Sequence, residues 1–209
     1  MGRISHPVNL EKLVEVFNLK NFVESGTGDG TSMKIAVDLN LFENLYGIDL
    51  DEDLYNNAVS MFESRVKMYN GYSKDEMLKI VSELSDKPTL FWLDAHFPGA
   101  DYKGARYDAE KDDSKRIPLE AELKVIIENR DITNDVFIMD DLRIYVDRPF
   151  FGGSWEFRTT AGAENCDFIE TLIGKTHLLV EHHQDQGYML GFPLSTSEET
   201  IRSTIKHNY

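Results

Sequence analysis

The sequence has almost no cysteine and no long hydrophobic run. Cys166 is the single cysteine in 209 residues, which excludes an internal disulfide and a metal site built from several thiolates. No apolar stretch approaches the roughly 20 residues of a membrane-spanning helix, and the first residues lack the apolar core of a signal peptide. We therefore expect a cytoplasmic protein with no membrane partner, folded as one domain over residues 1–209.

Positive charge is also scarce. Twenty-two Lys and Arg residues stand against 37 Asp and Glu residues, which gives a net charge of −15. Nucleic-acid binding depends on basic side chains that neutralise phosphates, so we expect no nucleic-acid partner. The densest basic group, within residues 103–116, is interleaved with acidic residues and is predicted to be a solvated loop. An acidic surface is compatible with a monomer or a homodimer.

Short apolar runs alternate with segments of helical periodicity, which is typical of an α/β fold. Strands are predicted over residues 21–24, 45–49, 66–69, 89–94 and 136–140. Helices are predicted over residues 9–17, 31–39, 52–64, 74–84, 118–127, 167–173 and 197–206. The alternation predicts a doubly wound, mostly parallel sheet with helices on both faces. An antiparallel hairpin over residues 176–192 closes one edge and completes seven strands.

Two segments are interpreted from their position and length. The helix over residues 9–17 lies within the first 19 residues, before the sheet begins, and is predicted to act as a cap. Residues 97–117 are polar and contain glycine. Loops this long inside a compact domain are usually functional, so we expect a loop on the substrate side of the sheet.

A glycine-rich segment follows the first predicted strand and precedes a helix. It reads Glu24-Ser25-Gly26-Thr27-Gly28-Asp29-Gly30, with the spacing E-x-G-x-G-x-G. Glycines in this position let the backbone turn tightly and approach a ligand. The G-x-G-x-x-G spacing of dinucleotide-binding folds is absent, and a leading acid suits a cationic ligand better than a phosphate. The predicted cofactor-binding residues here are Glu24, Gly26, Thr27, Gly28 and Gly30.

This segment resembles the first motif of class I S-adenosylmethionine-dependent methyltransferases. In that family the leading acid lies near the cationic amino-acid part of the cofactor. The resemblance continues at Gly47-Ile48-Asp49, where an acid about 20 residues beyond the loop can accept both ribose hydroxyls. It covers most of residues 22–141, and it implies a Rossmann-like methyltransferase fold with S-adenosylmethionine as the cofactor.

The chain departs from the family pattern after the third strand. The family often has Gly-Asp there, in contact with adenine, whereas this chain has Gly71-Tyr72-Ser73. Tyr72 and Ser73 are therefore the expected adenine contacts. Two interpretations of Tyr72 stay open, namely stacking on the base and a surface position without contact to the cofactor.

Acidic residues end the fourth and fifth strands. Asp94 follows one strand, and Asp140 and Asp141 follow the next, so the three carboxylates are expected to lie side by side. Carboxylates at close range raise one another's pKa unless a cation neutralises them, and their hard oxygen atoms suit Mg²⁺ or Mn²⁺. The alternative is that Asp94 contacts the cofactor or substrate while Asp140 caps a turn.

The acidic cluster resembles that of the metal-dependent O-methyltransferases, which act on catechols or, in the macrocin-type enzymes, on sugars. That resemblance implies that the ion holds the acceptor hydroxyls and that His96 acts as the base, with Asp94 beside it at the catalytic centre. The base in those enzymes usually lies three residues after the strand-end acid, whereas His96 follows Asp94 by two. A hydrogen bond from His96 to its own loop is the competing interpretation.

One absent motif narrows the reaction. N-methyltransferases of exocyclic amines commonly carry N/D-P-P-Y/F after the fourth strand, and this chain has Asp94-Ala95-His96-Phe97-Pro98. Methylation of nucleobase amino groups is therefore less expected. The resemblance to the macrocin-type enzymes implies O-methylation of a hydroxyl on a sugar or glycan instead. The alternatives are a catechol-like small-molecule acceptor, a NAD-dependent oxidoreductase on a similar sheet, and a binding protein without catalysis.

Overall fold

A computed structural model describes residues 3–96, 112–151 and 165–206 of the chain. Its sheet has seven strands, namely β1 (Asn21–Ser25), β2 (Asn44–Asp49), β3 (Lys67–Asn70), β4 (Thr89–Leu93), β5 (Val136–Met139), β6 (His177–His182) and β7 (Tyr188–Pro193). Their order across the sheet is β3-β2-β1-β4-β5-β7-β6. Strands β1 to β5 are parallel, whereas β7 is antiparallel to both β5 and β6. The predicted doubly wound sheet with a closing hairpin is confirmed.

Eight α-helices accompany the sheet in the described part of the chain. They are α1 (Leu10–Phe17), α2 (Thr31–Leu39), α3 (Glu52–Phe62), α4 (Ser73–Glu83), α5 (Asp113–Arg116), α6 (Leu119–Asn129), α7 (Asp167–Ile173) and α8 (Glu198–Thr204). Short 3-10 turns cover Glu63–Arg65 and Leu142–Ile144. Helix α3 ends before the predicted residue 64 because Glu63 adopts a φ of 49°, outside the helical range. No helix among the described residues is long and apolar enough to cross a bilayer.

The two faces of the sheet bury separate hydrophobic clusters, as expected when helices cover both sides. Strand β4 lies at the centre, and all five of its residues are buried. Phe91 and Leu93 pack with helices α4, α6 and α7, whereas Leu90 and Trp92 face helices α1, α2 and α3. The side chains of Phe91 and Phe137 stack with ring centroids 5.2 Å apart. This core holds the carboxyl ends of the parallel strands in fixed register.

Helix α1 belongs to the second cluster. Asn9 caps it by accepting a hydrogen bond from the Lys12 N–H, and Leu10, Leu13 and Val14 are buried against the sheet side. The predicted role of this helix as a cap of the site stays a prediction. Most of the predicted substrate-side loop, including the basic residues Lys103, Arg106 and Lys111, lies outside the described residues.

The amino ends of the strands are joined by a buried ion pair. Arg130 follows α6, and its Nε and Nη2 atoms donate to Asp135 over 2.8 and 3.0 Å. Asp135 also accepts the N–H of Thr89 at the start of β4, and its carbonyl oxygen lies 3.0 Å from Nε2 of His177 in β6. Asp135, which directly precedes β5, thus connects the end of α6 and the start of β4 through its carboxylate and the start of β6 through its backbone carbonyl.

We expect Arg130→Ala to lower the free energy of unfolding by about 3 kcal/mol, because it leaves the Asp135 carboxylate buried without its charged partner. Urea denaturation measures this loss. Lys124→Ala is the matched control, since the Lys124–Glu120 pair on the same helix is exposed and is expected to contribute less than about 1 kcal/mol. Equal effects of the two substitutions would show that the buried pair does not stabilise the fold.

Candidate active site

A cavity of about 350 Å³ opens at the carboxyl ends of β1, β2 and β4. In the strand order, the chain moves to one side after β1 and to the other after β4, so this is the switch point where doubly wound sheets bind ligands. The volume lies in the range of about 300–1,000 Å³ that small-molecule sites occupy. Most predicted site residues line it, namely Glu24, Gly26, Thr27, Gly28, Asp49, Tyr72, Ser73, Asp94 and His96.

The glycine-rich loop is tied to the second strand. The N–H groups of Gly26 and Thr27 both donate to the carbonyl of Ile48 over 3.0 Å. Gly26 has a φ of 74°, and a Cβ at this position would lie 2.6 Å from the carbonyl oxygen of Asp94. Glycine is required there because the loops after β1 and β4 meet backbone to backbone. Gly30 lies at the N-cap of α2, outside the cavity lining, where Phe62 packs against it.

Asp49 points from the end of β2 toward this loop. Its carboxylate oxygens accept the N–H of Gly28 over 2.7 Å and the N–H of Asp51 over 2.9 Å. Burial raises the pKa of Asp49, and these hydrogen bonds oppose the rise. Each carboxylate oxygen has a further acceptor position. Asp49 can therefore accept two additional hydroxyl groups from a ligand in the cavity.

Glu24 is buried at the end of β1 with an unsatisfied oxygen. The residue is only 1% exposed, and its Oε2 atom has no hydrogen-bond partner among the described residues. Burial, followed by repulsion from Asp94, raises the pKa of Glu24 well above its usual value. A buried acceptor without a donor is destabilising by about 1–3 kcal/mol. A cationic donor in the cavity would relieve this cost, which fits an ammonium group.

His96 lies between two of the predicted metal-binding carboxylates. Its Nε2 atom is 2.6 Å from Oδ2 of Asp141 and 3.4 Å from Oδ1 of Asp94. Burial by itself would lower the pKa of His96, but the two carboxylates outweigh it and raise the pKa to about 10. The ring is therefore an imidazolium near neutral pH in this arrangement. Neither ring nitrogen has a hydrogen-bond partner of good geometry among the described residues, so the approaches of Nε2 to Asp141 and Asp94 are ion-pair contacts.

Asp140 completes the acidic cluster. Its Oδ1 atom accepts the N–H of Asp141 over 2.8 Å, while Oδ2 has no partner in the described structure. Burial, and then repulsion from Asp94 and Asp141, raises the pKa of Asp140 well above its usual value. The three aspartates are thus brought together as predicted. No three such side chains in the described ranges already form a metal-binding geometry, but the unpartnered oxygen is of the type that a hard cation binds.

Comparison with known proteins finds similar structures but no similar sequence. No protein-family model and no curated protein matches the chain. A proposed caffeoyl-CoA O-methyltransferase of Staphylococcus aureus superposes with a TM-score of 0.56 at 15% identity, covering 88% of this chain and 80% of its own. Human methyltransferase-like protein 13, solved with S-adenosylhomocysteine, has a TM-score of 0.54 at 12% identity, with 92% and 83% covered. DesVI of Streptomyces venezuelae has a TM-score of 0.52 at 10% identity, with 88% and 91% covered.

The chain has the Rossmann-like methyltransferase fold. At identities this low the likeness establishes the fold alone and leaves the reaction to be argued from the site. Within this fold, the strand-end acids Glu24, Asp49 and Asp94 and most of the glycine-rich loop line one cavity, whereas Asp140 and Asp141 are not part of its lining.

Tyr72 lines the cavity, which favours its interpretation as a residue that faces the ligand. The Nζ atom of Lys115 lies 4.6 Å from the centroid of its ring. The cavity is also lined by Lys115 of α5 and by Pro118, the N-cap residue of α6. Arg3 from the amino-terminal segment lines it as well. These three residues were not predicted, because nothing local in the sequence marks them as neighbours of the glycine-rich loop.

Glu122 is a buried acid near the site that was also not predicted. It lies on α6 and is 1% exposed, and neither of its carboxylate oxygens has a hydrogen-bond partner among the described residues. Burial raises the pKa of Glu122 to about 7. The sequence contained a signal for this burial. Leu119, Leu123 and Ile126 form the apolar stripe of the helix, and helical spacing places Glu122 on the same face. A glutamate in such a stripe is buried when the helix packs.

The two first glycines of the loop provide a paired test. We expect Gly26→Ala to lower the free energy of unfolding by about 3 kcal/mol, since it adds left-handed strain and a clash with rigid backbone. Gly28 has a φ of 56°, but no atom lies closer than 3.9 Å to a Cβ added there. Gly28→Ala should therefore lower the free energy of unfolding only by the backbone strain, about 1 kcal/mol. Urea denaturation measures both. A loss for Gly26→Ala no greater than that for Gly28→Ala would contradict the close approach of the two loops.

Proposed function

We propose that this protein is an S-adenosylmethionine-dependent O-methyltransferase that methylates a hydroxyl of a sugar or glycan with the help of a divalent metal ion. The observation that carries the cofactor assignment is the buried, unpartnered Oε2 of Glu24, a residue in the lining of an acidic cavity. The human structural neighbour solved with S-adenosylhomocysteine and the Staphylococcus neighbour named as an O-methyltransferase support this assignment.

Each part of the cofactor has a suitable group in the cavity. S-adenosylmethionine, when bound, supplies a methyl group on a positively charged sulfur. Glu24 would accept the ammonium of its amino-acid part, and Asp49 would accept the ribose hydroxyls. Tyr72 and Ser73, which line the cavity, would contact the adenine ring. Alignment of the acceptor oxygen, the methyl group and the sulfur then supplies much of the rate.

The acceptor side is assigned to the acidic cluster. Asp94, Asp140 and Asp141 would hold Mg²⁺ or Mn²⁺, which supplies Lewis acidity that lowers the pKa of a bound hydroxyl. Nε2 of His96 would accept the proton of that hydroxyl. His96 can do so only as the neutral ring, so the proposal requires another positive charge to replace the one that the imidazolium now supplies to Asp141 and Asp94.

The rival functions fit the cavity less well. A nicotinamide dinucleotide places its pyrophosphate at the loop after β1, where this chain has Glu24, Asp29 and Asp94 in the lining. Three acids are poor neighbours for two phosphates. A catechol would use the same metal and base as a sugar, so the two acceptors are separated by an acceptor screen.

Calorimetric titration of S-adenosylhomocysteine tests the cofactor assignment. We expect binding by the wild-type protein and a loss of about tenfold in affinity for Asp49→Asn, because the amide leaves one acceptor oxygen for the ribose. Asp38→Asn is the control, since this acid is exposed on α2 and should not alter affinity. The absence of any heat from the wild-type protein, with or without Mg²⁺, would sink the assignment, and heat from NADH instead would favour the oxidoreductase.

Transfer of a labelled methyl group to panels of sugar and catechol acceptors tests the metal. Asp140→Asn should reduce metal-dependent turnover by about 100-fold while cofactor affinity is retained, because the amide removes a charged ligand of the ion. Asp131→Asn, in an exposed turn, should behave as the wild type. Turnover that persists undiminished in excess chelator, or in Asp140→Asn, would remove the metal from the proposal.

A further inference from the structure

The turn between β6 and β7 is joined to the loop that carries the acidic cluster. The N–H of Leu142 donates to the main-chain carbonyl oxygen of Gly187 over 2.9 Å. The N–H of Arg143 donates to the main-chain carbonyl oxygen of Gln186 over 3.1 Å. The proposed reaction gives this hairpin no role, although its turn lies beside Asp141.

Asp141 has an unusual backbone conformation next to these hydrogen bonds. Its φ is 53°, in the left-handed region that residues other than glycine rarely adopt. Such a conformation persists where the surrounding structure imposes it. The two residues that donate to the turn directly follow Asp141 in the chain. The hairpin therefore contributes to the direction in which the Asp141 side chain leaves the backbone.

The side chain of Gln186 reaches both Asp141 and Arg143. An ionised carboxylate only accepts hydrogen bonds and a guanidinium only donates them, so the amide nitrogen of Gln186 faces Asp141 and its oxygen faces Arg143. In this orientation the nitrogen donates to Oδ1 of Asp141 and lies 3.1 Å from Oδ2. The amide oxygen accepts from Nη2 of Arg143 over 2.7 Å. Gln186 thus bridges an acid of the cluster and its neighbouring base.

The two oxygens of Asp141 have different surroundings. Oδ1 receives the shorter of the two Gln186 contacts and also accepts from Nε of Arg143 over 3.2 Å. Oδ2 faces His96, whose Nε2 atom lies 2.6 Å away. Oδ2 is therefore the oxygen available to a cation that replaces the imidazolium charge. Hydrogen bonds to a ligating carboxylate fix its orientation, and their loss commonly weakens metal binding by about 10- to 100-fold.

We propose that Gln186 is a positioning residue that holds Asp141 with Oδ2 toward the acidic cluster and thereby raises the affinity of the cluster for Mg²⁺ or Mn²⁺. This inference rests on the proposed function, because it concerns the same metal site. It assigns a role in the site to the turn of the carboxyl-terminal hairpin, a segment that lies about 45 residues beyond Asp141 in the chain.

Electron paramagnetic resonance of Mn²⁺ titrated into the full chain tests this role, because it measures the free ion and requires no turnover. We expect Gln186→Met, which keeps the side-chain length but removes the amide, to weaken Mn²⁺ binding about tenfold. Calorimetric affinity for S-adenosylhomocysteine without metal should stay within about twofold of the wild type, since Gln186 does not line the cavity. Gln184→Met is the matched control in the same turn, because the Gln184 side-chain oxygen has no hydrogen-bond partner among the described residues. It should keep both affinities.

A double-mutant cycle separates an effect through Asp141 from a general one. Asp141→Ala removes the carboxylate that Gln186 contacts. In that background, Gln186→Met should weaken Mn²⁺ binding by no more than about a further twofold. If Gln186→Met does not fold, Gln186→Ala takes its place in both experiments.

Three results would overturn the inference. The first is an Mn²⁺ affinity of Gln186→Met within about twofold of the wild type. The second is an equal loss of Mn²⁺ and S-adenosylhomocysteine affinity, which indicates a general loosening of the site. The third is an effect of Gln186→Met that persists undiminished in Asp141→Ala, which shows that Gln186 does not act through Asp141.

The remaining outcomes are also decisive. If Asp141→Ala does not fold or binds no measurable Mn²⁺, the comparison of the two affinities in Gln186→Met decides. If the wild-type protein binds no Mn²⁺, the inference and the metal of the proposed function are both overturned, whereas the cofactor assignment still depends on the titration of S-adenosylhomocysteine. Mn²⁺ binding by the wild type without an effect of Gln186→Met overturns the inference alone.

Discussion

The structure depends on the burial of negative charge at one edge of its sheet. Glu24 and Asp49 are buried in the cavity lining, and Asp140 and Asp141 are buried close to Asp94, which also lines it. Burial is the first cause of the raised pKa of Glu24, Asp49 and Asp140. The main compensation in the described residues comes from the His96 imidazolium, whose position beside Asp141 and Asp94 brings the pKa of Asp141 below its usual value despite burial. Buried carboxylates of this kind are stabilised by cations, so the same excess of acid would favour the positively charged cofactor and the hard metal ion that we propose.

The amino ends of the strands show the opposite arrangement, in which a buried acid is satisfied by the chain itself. There, Asp135 is as deeply buried, but Arg130 donates to it through two nitrogen atoms. Burial still raises the pKa of Asp135, to about 6, against the effect of Arg130. At the amino ends of the strands, the buried Asp135 is therefore paired within the chain and stabilises the fold. At the carboxyl ends, carboxylate oxygens of Glu24 and Asp140 have no hydrogen-bond partner among the described residues. Natural proteins concentrate such unsatisfied groups where they bind ligands.

The fold explains how distant acids come together. Parallel strands end at the same edge, so the residues that follow β1, β2, β4 and β5 are neighbours although they are far apart in sequence. The direct contact of Gly26 with the backbone of Asp94 fixes the spacing between the cofactor loop and the acidic cluster. The loop after β1 and the loop after β4 therefore meet directly at the cavity that both of them line.

The amino-acid sequence by itself determined the order and type of the elements other than the short helix α5, which lies within the predicted loop. It also determined the doubly wound sheet and the gathering of Glu24, Asp49, Asp94, Asp140 and Asp141 at the carboxyl ends of the parallel strands. These follow from hydrophobic periodicity, glycine-bearing turns and the direction of parallel strands, all of which are encoded within short segments. The tertiary structure alone decided that His96 lies between two carboxylates, that Lys115 covers Tyr72, that Gly30 packs against Phe62, and that Glu122 is buried without a hydrogen-bond partner among the described residues. The physical reason is that a pKa, a ring contact or an unsatisfied oxygen depends on neighbours contributed by remote segments, and those neighbours exist only once the helices have packed on the sheet.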